Sequence, residues 1–199
     1  KLKIEFWDEK AFFEYLNSLS LEDLRGQVLA WAYLTVAIFI ASGKRYSAEF
    51  LQHALQKNPK SLLFESNDPI VKKIQKEPAY EKIILKLKEK INAGNTSGQI
   101  WPKDFKDDPG MKEEINFNSR DFKTSLHGIR KIEYEAQEQD GNHFKVIITL
   151  FDVYDFEKIK MAFPYVPSLI NNLLDRGEEL NIVQNFEIEI HIIEIIHVD

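Results

Sequence analysis

The chain has 199 residues, enough for one domain or one compact domain in two halves, and its 44% hydrophobic and 12% aromatic content supports a real core rather than a disordered segment. A net charge of −6 argues against a whole-surface grip on nucleic acid. The absence of cysteine excludes disulfides, thiolate zinc sites and a cysteine nucleophile. Lys1 stands where a methionine would begin a complete reading frame. That is expected of a processed product or a piece of a longer chain, with any targeting segment outside it.

Residues 8–17 carry Phe12, Phe13 and Leu16 at helical spacing. Val28 to Gly43 is the most apolar stretch, sixteen residues without a charge. As a helix it is about 24 Å long, short of a hydrocarbon core of roughly 30 Å. It therefore reads as a buried central helix that its neighbours wrap. Ser20 is its N-cap, with Asp23 three residues on, and Gly43 is its stop. Phe50, Leu51, Ala54 and Leu55 mark a helix at 47–57, which Asn58-Pro59 ends. A short helix at 68–77 stops at Pro78, and residues 79–92 place Tyr80, Ile83, Ile84, Leu87 and Ile91 on one stripe.

The composition shifts at residues 93–110, rich in glycine, proline, asparagine and aspartate, with Trp101 expected to pin the connection to the core. Beyond it the pattern is β. A short strand is expected near 114–118, and two longer ones, from Leu126 to Ala136 and from His143 to Asp152, flank a Gln139-Asp140-Gly141-Asn142 turn. Residues 165–177 read as one helix, with Leu169, Ile170, Leu173 and Leu174 inward. A last strand near 184–198 alternates, with a slip at Ile192-Ile193 that suggests a bulge. The fold class is therefore α+β: a helical part over 1–95, a connection over 96–112, and an antiparallel sheet with one helix over 113–199.

Two hairpin registers keep the apolar face of Ile132, Tyr134 and Ala136 on that of Val146, Ile148 and Leu150. One sets Gly128 opposite Asp152, the other Arg130. In both, Arg130 and Asp152 continue the core face. A charged pair there is either a buried salt bridge or the floor of a site. Asp155 follows three residues after Asp152. In a straight strand the two carboxylates point to opposite faces, and a turn would let them converge on a divalent cation such as Mg2+ or Ca2+ or share acid–base duty. The structural alternative makes Asp155 the N-cap of a short helix at 156–160 and Asp152 the partner of Arg130.

The run Asp152-Val153-Tyr154-Asp155 resembles the Asp-x-Tyr-Asp core of the colicin M family of bacteriocins, in which a helical part precedes an antiparallel β part carrying the motif. The resemblance implies a toxin-like, divalent-cation-dependent hydrolase acting on the lipid-linked pyrophosphate of the peptidoglycan precursor lipid II. It would be secreted or delivered to the bacterial envelope and accompanied by an immunity protein, with Asp152, Tyr154 and Asp155 functional. The family continues with His-Arg where this chain has Met161 and Ala162, so the family's base is missing. His127 and Arg130, on the partner strand, are the candidates to replace it as base and phosphate ligand. Lysines 72, 73, 76, 82, 86, 88 and 90 form either a solvated face or an approach to an anionic membrane surface. The alternative function is a non-catalytic binding module, such as an immunity or adaptor protein, using the acidic edge of the last strand. No Gly-rich phosphate loop, nucleophile elbow or His-Glu-x-x-His motif is present in the sequence.

Overall fold

The computed structural model describes residues 9–108, 111, 115–126, 128–156 and 166–198, with the side chains of 9, 12, 13 and 166–169 excepted. The expected strand start at 114, the helix at 156–160, His127, and the inward placement of Phe12, Phe13 and Leu169 thus lie outside what is described. The chain forms two compact units, Lys1–Pro59 with Asp155–Asn185, and Lys60–Tyr154 with Phe186–Asp199. Among the described residues the fold is α+β, with a mixed five-stranded sheet.

The first unit holds α1 (Glu9–Ser18), α2 (Leu21–Ala41), α3 (Arg45–Ala54) and α7 (Val166–Glu179). Ser20 caps α2 as its pattern predicts, its Oγ accepting the Asp23 N–H at 3.1 Å. Gly43 ends the helix at φ +73°, a conformation that costs a glycine little. Leu24, Val28, Ala32, Thr35 and Val36 form the buried stripe of α2, which packs on α3 and α7. The opposite stripe is open, so α2 is not the fully wrapped helix expected. Hydrophobicity on all sides reports what the helix needs, not what this chain supplies. By length and composition alone, α2 is also apolar enough to cross a membrane.

The approach of α7 to α2 depends on Gly177. A Cβ there would sit 2.8 Å from Val28 Cγ1 and 2.9 Å from Val183 Cγ2. In an open helix, alanine at this position would be favoured by about 1 kcal/mol. Here overpacking outweighs propensity, and Gly177→Ala is expected to lower stability by about 1–3 kcal/mol in urea titrations. An unchanged or raised midpoint would show that the two helices are not held this close.

In the second unit the strands run in the order β1 (Leu62–Phe64), β5 (Phe186–His197), β4 (His143–Tyr154), β3 (Lys131–Asp140), β2 (Ser97–Ile100). The sheet is mixed rather than antiparallel throughout, because β1 pairs parallel to β5. The connection at 93–110 supplies the edge strand β2. Trp101 is 38% exposed and does not anchor it; Ile100 and Phe105 are buried instead. The strand expected near 114–118 reduces to one bridge, Ile115 to Ile129. α4 (Pro69–Ile74) already ends at its C-cap Gln75, short of the expected 77, and Pro78 instead opens α5 (Pro78–Asn92), where its missing N–H costs nothing. Glu77, just before it, is buried and accepts the N–H groups of Asn118 and Ser119, each at 3.1 Å.

β4 and β5 pair without interruption from His143 opposite His197 to Tyr154 opposite Phe186, so the expected bulge is absent. The apparent slip arises because Glu194 takes an inward position, while Ile193 and Ile195 point outward. Glu194 accepts hydrogen bonds from the Tyr80 hydroxyl and, at 3.2 Å, from Gln75 Nε2. Burial and the Glu194 carboxylate hold the Tyr80 hydroxyl above its ordinary range, so it stays a donor.

Candidate functional site

The β3–β4 register pairs Ile132 with Leu150 and Lys131 with Phe151, reached through an irregularity between Glu138 and Asp140. Within the strands this is the second of the two registers read from the sequence, but the ladder ends at the Lys131–Phe151 pair, and Arg130 and Asp152 lie one residue beyond it. Both residues line a cleft of about 250 Å³ at the end of the sheet, with Ser61, Phe151, Glu187 and Glu189. Asp152 is only 5% exposed, and its Oδ1 accepts the N–H of Val153 at 2.8 Å. Arg130 is exposed, and its backbone N–H donates to the Phe151 carbonyl at 2.9 Å.

The other expected site residues are placed differently. Tyr154 has the same strand parity as Asp152 and is buried, its ring stacked on Phe186 with centroids 5.2 Å apart. Asp155 belongs to the other compact unit. Among the described residues no three histidine or acidic side chains gather to hold a metal ion. Mg2+ or Ca2+ needs about six or more oxygen ligands. In the cleft, Asp152 points to the core side of β4, while Glu187 and Glu189 lie on the opposite face of the sheet.

Asp155 has its own electrostatic role within the first unit. The Glu178 carboxylate on α7 accepts the Phe156 N–H at 3.2 Å. Burial pushes Glu178 up to about 7, and the charges of Asp155 and Asp175 add to this against the lowering effect of that hydrogen bond. An acid raised in the folded state keeps its proton there while the unfolded chain has lost it. Stability from this group is therefore complete below its ordinary value of 4.5 and falls as pH rises through about 7. Glu178→Gln should unfold later than the wild type at pH 8, by on the order of 1 kcal/mol after solvent screening of a half-exposed group. At pH 4.5 the two should coincide, and a constant difference across this range would contradict the linkage.

The outward face of the sheet holds what the sequence reading missed. Ile147, Ile193 and Ile195 are 43%, 48% and 60% exposed, and Ile147 and Ile193 are direct cross-strand partners. Beside them a groove of about 710 Å³ is lined by Ser97, Gln99, Glu133, Glu135 and Thr149. Glu187 and Glu189 sit on the same face of β5, with His191 Nε2 2.6 Å from Glu189 Oε1. Lys131 pairs with Glu133 at 2.9 Å and lies over the Phe151 ring. The signal for this face was the Ile-Ile doublets at 192–193 and 195–196, which read as a slip while being two rows of an unbroken strand. Comparison of the chain with protein-family models, with curated proteins and with solved structures gives no match.

Proposed function

We propose that this chain is a non-catalytic binding module whose outward sheet face docks a protein partner with an apolar centre and a basic rim. The observation that supports it most is the row of isoleucines at 147, 193 and 195, exposed in a strand pair whose inward positions are otherwise filled. Apolar side chains in the middle of a patch and charge around it are the anatomy of a protein interface. The charged residues on this face are mainly acidic, namely Glu133, Glu135, Glu187 and Glu189 against Lys131 and Lys145, which sets the sign of the partner's rim. Tyr154 in the core and Asp152 on a backbone N–H fit the same reading.

The second reading, a lipid-pyrophosphate hydrolase, is favoured by one observation, the shared cleft of Arg130 and Asp152. A guanidinium there suits a phosphate, and Asp152 is the residue that would orient or deprotonate a water. One set of variants separates the two. Ile193→Lys should melt within about 0.5 kcal/mol of the wild type yet weaken partner binding at least tenfold, since charge in an apolar interface centre is costly. Glu135→Lys should weaken the same binding less and reduce its salt dependence. Asp152→Asn should leave it intact. Binding indifferent to Ile193→Lys would refute the module. Hydrolysis of the lipid–pyrophosphate bond, read as release of the free lipid alcohol and lost in Asp152→Asn, would establish the hydrolase in its place.

A further inference from the structure

The exposed stripe of α2 is built for a close helix contact. Gly26, Ala30, Tyr33 and Ala37 recur along it at helical spacing, opposite the buried stripe of Leu24, Val28, Thr35 and Val36. Leu29 and Ile40 flank this seam on one side, Leu34 and Ile38 on the other, and all are exposed, Ile40 at 61% and Tyr33 at 57%. A Cβ added at Gly26 would meet nothing within 4 Å. No charge interrupts the stretch from Gly26 to Gly43, and its two ends differ in net sign: Glu22 and Asp23 in the first turn outnumber Arg25 just before Gly26, while Lys44 and Arg45 stand just past the last turn, Arg45 paired with Glu49 at 2.7 Å.

We propose that this face docks on the same face of a second copy, the two α2 helices running antiparallel about a two-fold axis at Tyr33. The charges decide the direction. A parallel pair would set acid on acid and base on base, while an antiparallel pair sets Glu22 opposite Lys44 and also opposes the helix dipoles. The pairing that matches Glu22 with Lys44 is centred on Tyr33. The same pairing lays Leu29 over Ala37 and Ile40 over Gly26, a large side chain against a small one, on either side of the two copies of Tyr33 that meet at the axis. A bilayer surface would use the apolar seam but not the acidic end. A copy of the chain uses both ends.

The full chain should sediment as a concentration-dependent dimer, and Ala37→Glu, at an exposed position, should sediment as a monomer with unchanged helicity and melting temperature. The protein has no cysteine, so single cysteines report the geometry cleanly. Tyr33→Cys should cross-link to itself under mild oxidation. Ala37→Cys should not, because the two copies of residue 37 would lie about 12 Å apart along the helix axis, beyond disulfide reach. A wild-type monomer up to ~100 μM would refute the proposal, since interfaces of useful affinity are half-filled well below that. So would a dimer untouched by Ala37→Glu. Equal cross-linking at both positions would refute the antiparallel arrangement. A monomer that co-sediments with anionic phospholipid vesicles, and loses them in Ala37→Glu, would assign the face to lipid.

Discussion

The inward position of Glu194 is the constraint from which the sheet unit follows. A carboxylate on the core side of a strand is costly unless it is hydrogen bonded. Here Tyr80 from α5 and Gln75 from the end of α4 both reach it. That clamp ties two helices to the last strand and lets Glu194 stay on the core side. A slip of one residue would release Glu194 to solvent, but it would also expose Ile188, Ile190, Ile192 and Ile196, all of them buried as the strand stands. With the parity set, Ile193 and Ile195 must face outward. The exposed apolar row is thus a consequence of how the core is closed, not of a weak sheet.

The proposed function lies on surfaces rather than in a reaction centre, and the Asp-x-Tyr-Asp stretch is compatible with that proposal. Asp152 and Tyr154 share one face of β4, where Tyr154 stacks on Phe186 and Asp152 accepts a backbone N–H, while Asp155 begins a different unit and there raises Glu178. The exposed apolar rows, on β4–β5 and on α2, have different rims. One is bordered mainly by acidic groups and one by opposite charges at its two ends, so the chemistry of their partners should differ as well.

Much of this was legible in the sequence, and the misses have physical causes. Ser20 and Gly43 bound α2 because capping is local. The α5 stripe and the β3–β4 register could be read because periodicity is local too. β1 was missed because three residues paired in parallel to a strand more than a hundred positions away leave no local mark. The bulge was expected because one inward charge imitates a change of parity, and only its partners on α4 and α5 reveal that it is satisfied. The openness of α2 could not be read, since a helix apolar on all sides looks the same whether this chain or another body covers it. Within the candidate site, the parity that buries Tyr154 was already present in its spacing from Asp152.

A double-mutant cycle between Tyr80 and Glu194 tests the central constraint most directly. Stabilities of the wild type, Tyr80→Phe, Glu194→Ala and the double variant would be measured by urea unfolding of the full chain. A coupling on the order of 1–2 kcal/mol is expected, because Glu194→Ala leaves the buried Tyr80 hydroxyl without its acceptor and Tyr80→Phe leaves Glu194 with Gln75 alone of the two donors. Losses that add within about 0.5 kcal/mol would mean that Tyr80 does not hold Glu194, and the last strand would keep its parity through its buried isoleucines alone.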